Sequence, residues 1–140
     1  DATKINYIEL FKTNNVPKNI DYLQIDVEQD EAALSTLKRL DKDVMNDYKF
    51  AVITFEHDVY RGGGYIKIRK QSREILLKRG YFLVFKDIHD KSPNIVYEDW
   101  YVHPDLVDMK LIYKLIYKNK DNYEYNIKTQ KSINWQNIKY

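Results

Sequence analysis

The segment at residues 20–31, IDYLQIDVEQDE, constrains this chain more than any other, because an apolar run there ends in acidic residues. A helical pattern follows it directly. Strands buried on both faces are typical of parallel sheets, and open α/β sheets bind ligands at the carboxyl ends of such strands. Asp26 and Glu28 stand at that end. The segment therefore predicts a strand over residues 21–27 that brings two carboxylates to a binding edge.

The same pattern recurs at residues 48–58, YKFAVITFEHD. A buried strand is predicted over residues 50–55, and Glu56, His57 and Asp58 form its polar end. Carboxyl ends of parallel strands meet at one edge of a sheet, so the two acidic ends are expected to lie together. The pair predicts a binding or catalytic cleft.

The remaining pattern predicts an α/β fold with helical crossovers. Amphipathic helices are expected over residues 30–40, capped by Asp30, and over residues 65–79, with Gly80 in the left-handed position that ends a helix. Residues 81–85 predict a third strand, and turn-forming residues then lead into a fourth strand at 95–102. Because a short connection joins antiparallel neighbours, the sheet is expected to end in an antiparallel pair.

Composition narrows the class of protein. The chain has 140 residues, of which 44% are hydrophobic and 31% charged, and this balance is typical of one globular domain or part of one. It has no cysteine, so no disulfide and no thiol nucleophile is available. No apolar run approaches the roughly 20 residues that cross a bilayer, and a cytoplasmic location without membrane contact is the expectation. The net charge of +2 predicts no nucleic-acid partner.

Residues 109–140 differ in composition from the rest, since lysines there alternate with tyrosines and asparagines and acids are few. We interpret this stretch as a solvated extension of the domain at residues 1–108; the alternative is a basic and aromatic grip on a phosphate backbone. Its first part, LIYKLIYK at 111–118, fits either a helix or one arm of a hairpin with residues 123–129.

Four motifs in order carry a family resemblance: IDVE at 25–28, VITFEHD at 52–58, GY at 80–81 and EDWYVHPDLVD at 98–108. Over roughly residues 16–108 the chain resembles the carboxyl-terminal half of FkbM-like S-adenosylmethionine-dependent methyltransferases. The resemblance implies part of a Rossmann-like methyltransferase sheet of parallel strands that ends in an antiparallel pair. It also implies S-adenosylmethionine as cofactor and a hydroxyl acceptor, usually a sugar of a glycan or a small molecule.

The chain departs from the family pattern in its glycines. Gln29 stands where the family often has glycine, and only 19 residues precede Ile20, where the glycine-rich cofactor loop is expected. The cluster at residues 62–64 follows a later strand and lacks the GxG spacing of such a loop. We therefore expect a fragment completed by an amino-terminal half or by a partner chain. The alternative is a non-catalytic binding or assembly module of the same fold.

Candidate catalytic residues follow from the acidic edge. His57 is the first choice as general base, because an imidazole with a pKa of about 6.5 accepts a proton at neutral pH; the alternative is a structural histidine bonded to a loop carbonyl. Glu56 would tune the histidine or bind acceptor hydroxyls, and Glu28 is either a base or a helix-capping partner. Asp26 would orient the cofactor or the acceptor, or else cap a helix.

The segment at residues 98–105 supplies the candidates for substrate contact. They are Trp100, His103 and Asp99, with Trp100 alternatively part of the core and His103 held extended by the proline after it. Asp26, Glu56 and His57 are also hard ligands suited to a divalent ion, but their spacing predicts no metal site.

Overall fold

The computed structural model describes residues 4–28, 31–89 and 92–118. The chain divides after Val107 into two compact units. The first unit contains, in order, α1 (Tyr7–Thr13), β1 (Asn19–Ile25), α2 (Ala32–Asp43), β2 (Lys49–Glu56), a 3-10 turn (Val59–Arg61), α3 (Gly64–Lys78), β3 (Phe82–His89) and β4 (Val96–Val102). The second contains α4 (Met109–Lys118). None of the helices in the described ranges is long and apolar enough to cross a membrane.

The fold is α/β, with a four-stranded mixed sheet in the order β1-β2-β4-β3. β1 and β2 are parallel neighbours, and β4 runs antiparallel to both β2 and β3. β3 is therefore parallel to β2, with β4 inserted between them. This confirms the predicted parallel pair and the antiparallel ending. The predicted bounds needed correction, since β1 lies two residues earlier than expected and β3 continues to His89.

The core of the first unit lies between the sheet and the two crossover helices. α2 buries Leu34, Leu37 and Leu40 at helical spacing, and the strands present Ile53 and Phe55 from alternate positions of β2. Right-handed crossovers between parallel strands place both helices on one face of the sheet, where α2 and α3 touch.

The helix ends agree in part with the sequence pattern. α3 buries Ile68, Ser72 and Leu76, and Gly80 follows it with a φ of 86°, which suits a residue without a side chain. α2 begins after Glu31, whose side chain makes no capping hydrogen bond, and the predicted cap Asp30 lies outside the described residues.

The structure decides between the two predictions for residues 111–118. They belong to α4, so the helix prediction is confirmed and the hairpin prediction is wrong for this arm. The other proposed arm, residues 123–129, lies outside the described residues. α4 carries Leu111 and Leu115 as exposed apolar side chains.

Candidate functional site

A small open pocket of about 150 Å³ lies at the carboxyl ends of β1 and β2. Asp26 and Glu28 reach it from the end of β1, and Glu56 and Asp58 from the end of β2. The parallel register pairs Ile25 with Phe55, so the residues that follow both strands emerge side by side. The structure thus brings together four of the residues predicted from sequence, namely Asp26, Glu28, Glu56 and His57, although the side chain of His57 is buried.

Glu56 is the carboxylic acid of the pocket whose pKa is raised. Burial raises its pKa to about 8, and the hydrogen bond to Asp26 and the negative charges of Asp26 and Asp58 act in the same direction. Two carboxyl groups that hydrogen bond to each other must share a proton, because ionised carboxylates only accept. Glu56 is therefore protonated at neutral pH and becomes a carboxylate only in mildly alkaline solution.

The 3-10 turn supplies the pocket with a cation. Arg61 lies 3.3 Å from a carboxylate oxygen of Asp58, and its guanidinium lies over the rings of Tyr60 and Tyr65 at 5.6 and 5.5 Å. Hydrogen bonds to Tyr60 and Tyr65 and the charge of Asp58 raise the pKa of Arg61. Since Arg61 pairs with Asp58 and Glu56 is protonated, the acidic character of the pocket comes from Asp26 and Glu28, and such a pocket favours cations and hydroxyl donors.

His57 points into the protein. Its side chain is fully buried, and its Nδ1 accepts a hydrogen bond from the backbone N–H of Val59 at 3.2 Å. Its Nε2 lies 3.4 Å from Oδ1 of Asp99 and 3.9 Å from Oδ1 of Asp87. Because Nδ1 accepts this hydrogen bond from Val59, the ring proton is placed on Nε2. Neither nitrogen is offered to the pocket, so the geometry favours Glu56 over His57 as the proton acceptor.

Behind His57 lies a partly buried network of ions, centred on the fully buried Asp99. Arg73 donates from Nε and Nη2 to the two oxygens of Asp99 at 2.7 and 2.8 Å, and from Nη2 to Asp87 at 2.7 Å. Burial alone would raise the pKa of Asp99, but the hydrogen bonds from Arg73 and the nearby His57 outweigh it and hold that pKa well below its ordinary value. Arg69 adds a 2.9 Å bond to Asp87. The network is electrically balanced, with two arginines facing two aspartates.

Asp87 reaches this network through an irregularity of β3. Its φ is 57°, and the pairing of β3 with β4 shifts register on both sides of it. Such bulges re-aim a side chain, and aspartate tolerates the left-handed conformation better than most residues. The backbone N–H of Asp87 donates to Asp99 at 2.8 Å, which ties the bulge to β4.

Among the described residues, His57, Asp87 and Asp99 form the only cluster of side chains of the kind that bind metal ions. Ligand atoms of His57, Asp87 and Asp99 lie within 4.8 Å of one another. The oxygens involved already accept hydrogen bonds from Arg73 and Arg69, and a divalent ion there would meet two guanidinium groups. The donor set therefore does not suit a metal ion.

None of the three predicted substrate contacts lines the pocket. Asp99 is fully buried in the ion network. Trp100 is 40% exposed, packs edge-on against Phe85 at 5.7 Å and donates from its indole nitrogen to Glu98. Because β4 is antiparallel to β2, His103 follows β4 at the end of the sheet opposite the pocket. Its backbone N–H donates to the carbonyl of Ala51.

Sequence reasoning missed the residues that complete the site. Arg61 and Tyr65 reach the pocket from the 3-10 turn and the first turn of α3, and neither belongs to a recognisable pattern. Arg69 and Arg73 offered one signal, since they are four residues apart and lie next to the buried stripe of α3. Charged residues beside an apolar stripe are often paired with buried carboxylates.

Comparison of the chain with protein-family models, with curated proteins and with solved structures gives no significant match.

Proposed function

We propose that this chain is the carboxyl-terminal half of an FkbM-like methyltransferase domain and helps transfer a methyl group from S-adenosylmethionine to a hydroxyl, such as that of a sugar. The observation that carries the proposal is the group of carboxyl residues, Asp26, Glu28 and Glu56, that line one pocket at the ends of two adjacent parallel strands. The order of the four sequence motifs supports it, and so does the sheet, in which the last strand β4 lies antiparallel between β2 and β3. We place this activity in the cytoplasm, where the cofactor is made.

The proposed chemistry needs little from the protein. The cofactor supplies a methyl group on a cationic sulfur, which suits an acidic pocket, and the protein aligns the acceptor and removes its proton. We assign proton removal to Glu56 once it has released the proton shared with Asp26. Asp26 and Glu28 would bind acceptor hydroxyls or the positive charge. Because the pKa of Glu56 is about 8, activity is expected to rise with pH up to that value.

The pocket is smaller than the cofactor requires. Sites for ligands of that size enclose roughly 300 Å³ or more, whereas this pocket measures about 150 Å³. Among the described residues β1 pairs only with β2, which leaves its other edge free. A further parallel strand beside β1 would end next to Asp26 and Glu28 and would enlarge the pocket there. We propose that the missing half, on the same polypeptide or a partner chain, pairs with this edge.

A second function is favoured by the same free edge. Edge strands without proline or bulges are templates for strand addition, and Asn19–Ile25 contains neither. A chain that binds another protein through β1 without catalysis would then keep the fold and lose the cofactor.

Cofactor binding and methyl transfer separate the two functions. The 140 residues alone are expected to bind S-adenosylmethionine weakly or not at all by calorimetry, and the product of the complete reading frame is expected to bind it and to methylate members of a panel of sugars. Glu56→Gln should lower turnover by roughly 10²–10⁴-fold with little change in cofactor affinity. Glu74→Gln, an exposed position on α3, is the matched control. Cofactor binding by neither form would support the assembly module.

A further inference from the structure

The turn that carries Asp58 and Arg61 into the pocket has no side-chain cap of the usual kind. Asp58 precedes the 3-10 turn with a φ of 49°, and its carboxylate makes no capping hydrogen bond. The backbone N–H groups of His57 and Asp58 both donate to the carbonyl of Tyr97 on β4, at 2.6 and 3.0 Å. The next N–H, that of Val59, points instead at Nδ1 of His57 at 3.2 Å.

The other nitrogen of the His57 ring faces the carboxylate of Asp99, which hydrogen bonds hold in place. Nε2 of His57 is buried without an ordinary hydrogen-bond partner, and it faces Oδ1 of Asp99 at 3.4 Å. Asp99 is itself fixed by two bonds from Arg73 and one from the backbone of Asp87. The attraction between Nε2–H and this carboxylate selects the ring orientation that leaves Nδ1 free to accept from Val59.

We propose that His57 is a positioning residue, which anchors the turn Val59–Arg61 to the buried Asp99 and so places Asp58 and Arg61 in the wall of the pocket. Asp58 is one of the groups that raise the pKa of Glu56. Because His57 holds the turn that follows Asp58, the pKa of Glu56 depends on His57 although their side chains do not touch. This role of His57 depends on the proposed function only for the identity of the ligand that the pocket binds.

The ring nitrogens can be examined directly in the unmodified chain. Long-range proton–nitrogen NMR distinguishes the two neutral tautomers, and His57 is expected to carry its proton on Nε2 near pH 7. A proton on Nδ1 would overturn the proposal, because Nδ1 would then donate and the bond from Val59 would not exist. This measurement needs no variant and no cofactor.

Two substitutions separate the two ends of the imidazole. Asparagine places its amide near the position of Nδ1, so His57→Asn retains an acceptor for Val59 and loses the contact with Asp99. Glutamine reaches the position of Nε2, so His57→Gln does the reverse. In His57→Gln we expect the Val59 amide to exchange roughly tenfold faster, within the range that one hydrogen bond contributes. The titration of Glu56, followed by carbon NMR, should move from about 8 toward its ordinary 4.5. In His57→Asn the Val59 amide should exchange at about the unmodified rate, because its acceptor is kept, whereas the titration of Glu56 should still move, by less than in His57→Gln, because the contact with Asp99 is lost.

His103 provides a matched control, because its Nδ1 also accepts a backbone N–H two residues ahead, that of Asp105, at 3.2 Å. His103→Gln should leave the exchange of Val59 and the titration of Glu56 unchanged. Equal effects of Asn and Gln at position 57, or no effect of either, would mean that the ring only fills space. All of these readouts are independent of methyl transfer, so the positioning role and the proposed function can fail separately.

Discussion

The two ends of the sheet use the same kinds of residues with different results. At the pocket end, His57 faces Asp99, which is fully buried and paired with Arg73. At the opposite end, His103 lies beside Asp105, whose exposed carboxylate pairs with Lys49 at 2.5 Å. Both histidines accept a backbone N–H through Nδ1 at 3.2 Å. The two ends differ in the carboxylate beside each ring, because Asp99 at the pocket end is fully buried and Asp105 at the opposite end is exposed.

Solvent decides how strongly each ion pair holds its surroundings. The side chains of Lys49 and Asp105 are 47% and 62% exposed, so water screens their attraction. Arg73 is 22% exposed and Asp99 is fully buried, so the carboxylate of Asp99 recovers no hydration if Arg73 is removed. We infer that the buried pair fixes geometry at the pocket and that the exposed pair contributes little.

The largest expected effect is loss of the buried cation. Arg73→Met keeps much of the side-chain volume but leaves the carboxylate of Asp99 without its main partner. Leaving a buried charge unpaired costs about 3–5 kcal/mol. Urea denaturation should show a loss of unfolding free energy of that size. A loss below about 1 kcal/mol would mean that the network is far better hydrated than its burial indicates.

Neutralising the orphaned carboxylate should recover part of that loss. In Arg73→Met with Asp99→Asn, the amide oxygen still accepts from the backbone of Asp87, while the unpaired charge is gone. The double variant is expected to be more stable than Arg73→Met by about 1–2 kcal/mol, the usual cost of an uncompensated polar group. If the double variant were less stable than Arg73→Met, charge would not be the main term.

The sequence predicted the local features of the pocket end and missed the long-range ones. Asp26 and Glu56 were predictable because an apolar run followed by acids indicates a strand end in two places. The network was not predictable, because it joins α3, β3 and β4 and depends on the bulge at Asp87. His57 was predicted to be a base because its neighbours along the chain give no sign of the buried Asp99 beside it.

The raised pKa of Glu56 should make the free energy of unfolding depend on pH. The pKa of Glu56 is raised from 4.5 to about 8, so between these values the folded state binds more protons than the unfolded state. Stability therefore falls as pH rises through this window. Glu56→Gln removes that slope, so its advantage over the unmodified chain should grow from pH 5 to pH 8 and reach about 1 kcal/mol, after allowance for solvent screening. Denaturation at each pH measures it.

The smallest effect is expected at the opposite end, from Lys49→Met. An exposed ion pair contributes roughly 0.2–1 kcal/mol, and salt screens it. The loss of unfolding free energy should therefore shrink further between low salt and about 1 M salt, whereas the loss in Arg73→Met should persist because ions do not reach a buried pair. Lys42→Met, exposed on α2, controls for the general removal of a lysine. If Lys49→Met cost as much as Arg73→Met, burial would not be what separates the two ends, and the anchoring of His57 would need another cause.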